Sequence, residues 1–440
     1  MSTKATPKTV FQTSAATAGV SGLAVASWFA FNSESECAEQ KSLYQMIQDL
    51  NDRMASLEKF VGVNDYSEEL ATIAAVKVSN PDNLAMKYFD EEWFNALSPE
   101  DQANIIKIVR TGFENPNSKT GCYAMTETDY AVYREYLDKV IREAHNAKSD
   151  AVHVTDWDAS DVGDNGVLDV TKLGLDELSM RVRVGRNVCG FNLPGKMDRD
   201  ERVKFEKAML LAFAKLIEDP EYGGTVYSLT PDFGNGEANP NLITEEKYNE
   251  LVKAHVMFKD MDDDPYLKSA GISSDWPYGR GCWQSADGQC IIWFGEEDHL
   301  RIMCMKTGTR LDEVFNRLKV MLDAVESLQG LAFAHSKEYG YVTSCPTNLG
   351  TGMRASVHIK VPKLTADGQA DPHGYSATAT AICDPLGLSV RGTGGEHTPI
   401  GKDGTIDLSP SARLFIKEKE IIAALYQGID DLMKAENAME

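Results

Sequence analysis

The spacing of apolar residues predicts a helical region in the first third of the chain. Apolar side chains recur three and four residues apart over 81–97 and 128–144, which is typical of amphipathic helices. Ser98, followed by Pro, Glu and Asp, has the composition of a helix start. Residues 114–121 are turn formers and predict a loop between two helices. We therefore expect a small all-α N-terminal domain over residues 65–150.

Beyond an acidic linker at residues 151–178, stretches of alternating polarity stand beside helical ones. Residues 179–186 alternate two arginines with two valines, and the residues after Arg354 alternate apolar with polar side chains, so both stretches predict strands. Four long helices are predicted over 200–217, 244–259, 310–328 and 417–436. Because strands and helices do not alternate regularly, we expect an α+β fold, with an antiparallel β-sheet flanked by helices in a larger domain over residues 179–440.

Residues 41–64 have a different period. Apolar side chains there alternate four and three residues apart, at Leu43, Ile47, Leu50, Met54, Leu57 and Val61. This seam of about three heptads predicts either a short coiled coil over 41–63 that joins copies of the chain into a homo-oligomer, or one amphipathic helix that packs on the domain behind it. The pattern leaves both open.

Charge limits the partners of the chain. The sequence has 44 basic and 67 acidic residues, which gives a net charge of −23. Such a surface repels nucleic acid, so we expect no nucleic-acid partner, and a site for a polyanion must be built locally from clustered arginines. The eight cysteines show neither a CxxC motif nor a Cys/His ligand spacing, so neither a zinc site nor a disulfide framework is indicated.

The stretch CPTNLGTGMRASVHIK, residues 345–360, predicts a tight loop followed by a strand. Cys345 opens the loop, and Arg354 stands where the strand begins. Glycines let backbone N–H groups approach an anion closely, and the guanidinium of Arg354 offers a fork that matches phosphate oxygens. The alternative is a strand with an exposed arginine.

Four more arginines lie in sequence patterns that suit the binding of an anion. Arg181 and Arg183 share one face of a predicted strand, so they repel each other unless an anion, or a surface acid, lies between them. Arg280 stands between two glycines, and Arg391 opens a glycine-rich segment that is typical of a flap ordering on a ligand. The acidic cluster 296–298 either forms a solvated turn or pairs with a cationic guanidinium group.

These motifs resemble, from about Pro81 to the C-terminus, those of the phosphagen (ATP:guanidino) kinases, the family of arginine, taurocyamine, lombricine and creatine kinases. The resemblance implies that ATP is bound by Ser179, Arg181, Arg183, His255, Arg280, Arg354, His358 and Arg391. It implies catalytic roles for Glu297, Glu396 and Cys345, with Cys345 a partial thiolate near the arginines. It implies that the guanidino substrate contacts Ser118, Lys119, Tyr123, Glu297, Cys345 and Glu396.

The activity implied by the resemblance is reversible transfer of the γ-phosphate of ATP to a guanidino compound, which buffers ATP. Its partners are ATP or ADP and a small guanidino substrate. Its cofactor is Mg²⁺, carried by the nucleotide without a metal site on the protein. Positive groups and Mg²⁺ spread the phosphoryl charge, while two carboxylates orient the guanidinium and accept its proton. A non-catalytic nucleotide-binding scaffold and a bacterial-type protein arginine kinase, which lacks the helical N-terminal domain, are the alternatives.

Specificity motifs of several family members are mixed in this sequence. Glu396, Ser118 and Tyr123 resemble arginine kinases, whereas Lys119 to Cys122, KTGC, resembles lombricine and taurocyamine kinases and Gly394 resembles creatine kinases. The short loop leaves room for a large acceptor. We therefore expect taurocyamine, lombricine or arginine, with a creatine kinase-like specificity as the alternative.

Residues 1–40 predict a targeting or anchor segment. Lys4 and Lys8 come first without any acid, and an apolar run over 15–31 follows. This arrangement resembles the presequences of mitochondrial family members, so we expect a mitochondrial protein, in the intermembrane space or at the inner membrane, with the cytoplasm as the alternative. An uncleaved anchor, with membrane contact only through residues 15–31, and a disordered tail stay open.

Overall fold

The computed structural model describes residue 50 and residues 65–234, 236–328, 331–394 and 398–439. Residues Asp65–Glu440 form one compact unit. The predicted targeting segment 1–40 and, apart from Leu50, the predicted coiled coil 41–64 lie outside the described residues. None of the helices in the described part of the chain is both long and apolar enough to span a membrane.

The first part of this unit is helical, as predicted. Its helices are α1 (Ser67–Ser79), α2 (Leu84–Tyr88), α3 (Glu91–Ala96), α4 (Pro99–Glu114), α5 (Asp129–Val132) and α6 (Arg134–Ala144). The helix predicted over 81–97 is two helices, because Asp90 is extended and its side chain accepts a hydrogen bond from the backbone N–H of Trp93, which starts α3. Ser98 caps α4 as predicted, accepting from the N–H of Asp101 at 3.1 Å.

Ten strands follow in the described chain. They are β1 (Leu178–Arg186), β2 (Thr225–Ser228), β3 (Gly281–Gln284), β4 (Cys290–Phe294), β5 (Leu300–Gly308), β6 (His335–Ser336), β7 (Gly340–Tyr341), β8 (Met353–Lys360), β9 (Leu388–Arg391) and β10 (Thr405–Pro410). Eight strands form one sheet in the order β2-β3-β4-β5-β1-β8-β10-β9, and every neighbouring pair is antiparallel. The predicted α+β class with an antiparallel sheet is confirmed. β6 and β7 form a separate ribbon.

The remaining helices flank this sheet. They are α7 (Arg199–Glu218), α8 (Glu245–Lys253), α9 (Pro265–Ser269), α10 (Leu311–Glu326), α11 (Ala366–Ala370), α12 (Ala377–Cys383) and α13 (Glu418–Ala438). The helix predicted over 244–259 ends early, at Lys253, and His255 just beyond it takes a positive φ of 59°. Short 3₁₀ turns occur at Val170–Leu173, Pro346–Asn348 and Asp384–Leu386.

The two faces of the sheet differ in character. In β1 the side chains of Met180, Val182 and Val184 are buried in the main core, which α10 and α13 also line. Burying such a side chain stabilises the fold by about 1.5–3 kcal/mol. Because neighbouring residues of a strand point to opposite faces, this burial fixes Arg181 and Arg183 on the other face.

Candidate active site

Strand pairing gathers arginines from three strands on one face of the sheet. Arg183 of β1 lies directly opposite Arg354 of β8. β5, on the other side of β1, pairs Arg301 with Gly185, which is on the same face as Arg181 and Arg183. We call these four arginines the arginine face.

Two arginines of this face, Arg181 and Arg183, have few acceptors among the described residues. The side chain of Arg181 donates to the sulfur of Met303, at 3.3 Å, and to no other described residue, and the side chain of Arg183 makes no hydrogen bond or ion pair with the described residues. Burial, then the charges of Arg301 and Arg354, lower the pKa of Arg181 to about 10. Burial and the neighbouring arginines likewise hold the pKa of Arg183 well below its usual range. A bound polyanion such as a triphosphate would relieve this repulsion, so the face is suited to bind phosphate.

Asp407 of β10 fixes the edge of this face. Its carboxylate lies 3.3 Å from Nη2 of Arg354, 3.8 Å from Nε of Arg391 and 4.0 Å from Nε2 of His358. Ser409, two residues on, accepts from Arg354 at 3.4 Å and from Arg391 at 3.1 Å. The structure thus brings together three residues predicted to bind ATP. Sequence reasoning missed Asp407, whose only signal was its polar position in an apolar strand.

A cluster of carboxylates begins where the arginine face ends. The turn between β4 and β5 carries Glu296 and Glu297, and Arg301 contacts both, at 2.9 Å and 3.5 Å. Asn348 also donates to Glu297, at 3.4 Å. Burial, then the charges of Asp298 and Glu296, raise the pKa of Glu297 to about 7. Sequence reasoning missed Arg301, although it stands only four residues after Glu297 in the same motif.

Asp298 ties the β4–β5 turn to the loop of Cys345. One of its oxygens accepts from the side chain of Asn187 and from the N–H of Ser344, both at 2.7 Å. The Cys345 thiol lies 3.0 Å from Oγ1 of Thr347. Burial, then the negative charge of Glu297, raise the pKa of the Cys345 thiol to about 12. This direction is opposite to the expected partial thiolate, because burial and a neighbouring carboxylate both disfavour the negative charge on the sulfur.

Beside Cys345 lies a cavity of about 170 Å³. Four of the residues predicted to bind the guanidino substrate line it, namely Ser118, Lys119, Tyr123 and Cys345. Its other lining residues are Asn117, Thr120, Gly121, Cys122 and Tyr266. Ser118 holds the loop by accepting from the N–H of Gly121 at 3.0 Å. Glu396, the last residue of the predicted substrate set, lies outside the described residues.

Gly121 allows this loop to approach the helical core. Its φ is +70°, a conformation that favours glycine. A Cβ atom at this position would lie 2.3 Å from Oδ1 of Asn83, a buried side chain that also caps α2. The glycine therefore fixes where the neighbouring Lys119 and Tyr123 enter the cavity.

The guanidinium of Arg280 is held by backbone carbonyls. It is fully buried and donates to the backbone carbonyls of Ile272 at 2.7 Å, Tyr278 at 2.6 Å and Gly295 at 3.2 Å. Burial, then the nearby Arg202, hold its pKa well below the usual range. Its bond to Gly295 supports the start of the β4–β5 turn, and its contact with ATP stays a prediction.

The last two predicted ATP residues are more exposed. Ser179 lies opposite His358 in the pairing of β1 with β8, on the same strand face as the arginines. His255 is exposed just beyond α8. Their contacts with the nucleotide also stay predictions.

Comparison with known proteins agrees with this geometry. Residues 204–439 match the ATP:guanido phosphotransferase C-terminal catalytic domain, and residues 79–142 match the N-terminal domain of the same family. This chain belongs to the ATP:guanido phosphotransferase family. The family resemblance predicted from the motifs is confirmed. The protein is a kinase that binds ATP or ADP and a guanidino substrate.

The relatives of this kinase differ in their acceptors. The arginine kinase Oct f 2 of Amphioctopus fangsiao is 34% identical over 357 residues, which cover 80% of this chain and 94% of that protein. The taurocyamine kinase of Schistosoma mansoni is also 34% identical, over 338 residues that cover 77% of this chain and 42% of that protein. The crystal structure of a lombricine kinase superposes with a TM-score of 0.68 at 29% identity, covering 81% of this chain and 93% of that one. Overall identity therefore does not single out one acceptor.

Proposed function

We propose that this kinase phosphorylates a guanidino compound that carries a sulfonate or a phosphodiester beyond the guanidino group, as in taurocyamine or lombricine, in preference to arginine. The observation that carries the proposal is the position of Lys119. Lys119 lines the cavity beside Cys345, its side chain is exposed, and its ammonium group makes no hydrogen bond or ion pair with the described residues. A sulfonate or phosphodiester would pair with this ammonium. The α-ammonium of arginine would instead bring a like charge beside it, which disfavours binding.

The other end of the acceptor fits the carboxylate of Glu297. A carboxylate pairs with a guanidinium through two parallel hydrogen bonds, which orient the nitrogen for attack. The raised pKa of Glu297, about 7, suits a group that accepts a proton at neutral pH. Tyr123 and Cys345 line the cavity together with Lys119, and the charge of Glu297 raises the pKa of both, so Glu297 is close to this cavity.

The arginine face would hold the triphosphate of ATP in this arrangement. Phosphoryl transfer passes through a loose transition state, so aligned positive groups supply most of the catalysis. Among the described residues, no group of three His, Cys, Asp or Glu side chains is placed to hold a metal ion. We propose that Mg²⁺ arrives bound to the nucleotide, whose phosphate oxygens are the ligands it prefers, and that it spreads the charge of the transferring phosphate.

The biological role proposed is reversible buffering of ATP in mitochondria. Its support is the acid-free start of the chain followed by an apolar run over 15–31. A fluorescent protein fused behind residues 1–40 should enter mitochondria. Diffuse cytoplasmic fluorescence of that fusion would contradict the mitochondrial part alone.

The acceptor is tested by kcat/KM for taurocyamine, lombricine and arginine in the wild type and in Lys119→Ala. We expect Lys119→Ala to lower kcat/KM about fivefold for taurocyamine and lombricine, which corresponds to roughly 1 kcal/mol for an exposed ion pair. Arginine turnover should stay the same or rise. Lys139→Ala, which removes an exposed lysine of α6 outside the cavity, is the matched control. A wild type that prefers arginine, with no effect of Lys119→Ala on any acceptor, would end the proposal.

A further inference from the structure

Two cysteines face each other on the side of the sheet opposite the arginine face. Cys290 of β4 and Cys304 of β5 are direct partners across the strands, and their sulfur atoms are 3.3 Å apart. Both are almost fully buried in the main core, which α10 also lines. Neither belongs to the site described above.

The strand pairing brings these two side chains close to disulfide geometry. In an antiparallel ladder, hydrogen-bonded pairs alternate with pairs that are not hydrogen-bonded and whose side chains are closer. The N–H of Met305 donates to the carbonyl of Gln289 at 2.9 Å, so the next pair, Cys290 and Cys304, is of the closer kind. Its Cα atoms are then about 4.5 Å apart, within the range that disulfides span. The sulfurs need to approach by only about 1.3 Å.

A cavity reaches Cys304, one member of this pair. It has a volume of about 190 Å³ and is lined by Gln289, Cys304, Met305, Lys306, Glu313, Val314 and Arg317. Arg317 reaches over the pair from α10 and donates to the side chain of Gln289 at 2.8 Å. A hydrogen bond with Cys304, then the positive charge of Arg317, lower the pKa of Cys290. The same hydrogen bond raises the pKa of Cys304, so Cys290 is the more acidic thiol of the pair, which suits it to attack an oxidised Cys304. Burial alone raises the pKa of Cys282, an equally buried thiol on β3.

We propose that Cys290 and Cys304 form an oxidation site, at which a peroxide entering the cavity converts the two thiols into an intramolecular disulfide. The sulfur of Cys304, which faces the cavity, attacks one peroxide oxygen as its proton passes to the other oxygen, giving a sulfenic acid and water or an alcohol. The sulfur of Cys290 then attacks the sulfenic sulfur, and the hydroxide leaves with the Cys290 proton as water. The two thiols lose two electrons and two protons, and the peroxide accepts them.

The disulfide would act on the segment that carries the catalytic carboxylates. β4 and β5 form a hairpin whose turn holds Glu296 and Glu297, and the cysteine pair closes the hairpin at its open end. Oxidation therefore joins both ends of the segment that presents these carboxylates to the arginine face. A thiol reductant would reverse it. This inference does not rest on the identity of the acceptor.

The test treats the folded full-length kinase with hydrogen peroxide, blocks the remaining thiols with an alkylating agent, and maps peptides by mass spectrometry without reduction. We expect one cross-linked peptide pair that contains Cys290 and Cys304, lacks two hydrogens, and disappears on reduction. Amide hydrogen exchange of residues 291–303 should slow on oxidation in the wild type. It should not slow in Cys304→Ala, which leaves Cys290 without a partner.

Controls separate this site from other thiols. Cys282→Ala, which removes the unpaired buried thiol of β3, should still form the cross-link, and circular dichroism should show that both variants are folded. The readout is a peptide mass, so oxidation of Cys345 does not interfere with it. The proposal is overturned if Cys290 and Cys304 are both fully alkylated after peroxide has oxidised Cys345. It is equally overturned if they cross-link only once the protein is unfolded in urea.

Discussion

Replacing Glu297 by glutamine should stabilise the fold above pH 7 while removing most of the turnover. The side chain of Glu297 is only 17% exposed, and burial together with Asp298 and Glu296 raises its pKa from an ordinary value of 4.5 to about 7. A shift of about 2.5 units corresponds to roughly 3 kcal/mol, since each unit is about 1.4 kcal/mol. That is the free energy by which the ionised carboxylate weakens the folded state, and a neutral amide avoids it.

The pH dependence of this effect has a definite sign. The folded protein keeps the proton on Glu297 up to about pH 7, whereas the unfolded chain loses it near pH 4.5. Between these values the folded state binds more protons, so the stability of the wild type falls as the pH rises. The difference in the free energy of unfolding between the variant and the wild type is therefore near zero below pH 4.5. It grows between pH 4.5 and pH 7 and reaches its full value above pH 7. Arg301 keeps its contact of 2.9 Å with Glu296 in the variant.

The assay is urea unfolding of the wild type, Glu297→Gln and Glu68→Gln at several pH values between 4.5 and 8. Glu68 is an exposed carboxylate of α1 and is the matched control. ATP affinity, read by calorimetry, should be unchanged in Glu297→Gln, because only the guanidino substrate loses its partner. A stability difference that does not vary with pH would refute the electrostatic argument. Loss of ATP affinity with turnover retained would refute the role given to Glu297.

Arg354→Lys should lower kcat by about 100-fold, because a point ammonium cannot replace a fork on phosphate, and near-normal kinetics would remove Arg354 from the phosphate site. Arg301→Lys should lower kcat by a similar factor. Arg280→Lys should mainly lower the urea midpoint of unfolding, because lysine loses hydrogen bonds that Arg280 donates to backbone carbonyls. Unchanged stability with a raised KM for ATP would instead support Arg280 as an ATP residue. If residues 41–63 form a coiled coil, Leu50→Pro should break it, because proline costs about 3 kcal/mol inside a helix. Light scattering should then show a smaller assembly with the specific activity unchanged. An unchanged mass would favour a helix packed on its own domain.

Helices and strands were predicted correctly where the spacing of apolar and polar residues alone decides the local structure. The two-residue alternation of Arg181 and Arg183 with valines in β1 places the arginines on one face, and burial of the valines makes that placement firm. Errors arose where one side chain changed the backbone path. Asp90 starts a new helix inside a segment that was predicted as one, and the chain beyond Lys253 does not continue the predicted helix because His255 takes a left-handed conformation.

The site was only partly predictable because strand pairing is not local. Arg301 stands on the arginine face through the register of β5 with β1, whereas Arg280, which looked suitable between two glycines, is buried under backbone carbonyls. Asp407 reaches Arg354 from 53 residues further along the chain. The state of the Cys345 thiol depends on Glu297, which a separate hairpin supplies. The residues around each position do not show which distant strand or turn it will meet.

The same raised pKa links substrate binding to proton release. The arginine face and its edge hold five guanidinium groups and three carboxylates. The guanidinium groups belong to Arg181, Arg183, Arg301, Arg354 and Arg391. The carboxylates belong to Glu296, Glu297 and Asp407. Protonation of Glu297 removes the charge that a cationic guanidinium needs. The acceptor must therefore displace the proton when it binds below pH 7.

Calorimetry in buffers of different ionisation enthalpy measures this proton directly. The guanidinium itself has a pKa of about 12.5 or more and stays charged, so a released proton comes from the protein. We expect nearly one proton released per acceptor bound at pH 6, none at pH 8.5, and an affinity that falls up to tenfold for each unit below pH 7. In Glu297→Gln the release should vanish at every pH. If protons are still released when the acceptor binds to this variant, they come from another group. The raised pKa of Glu297 would then have no part in acceptor binding.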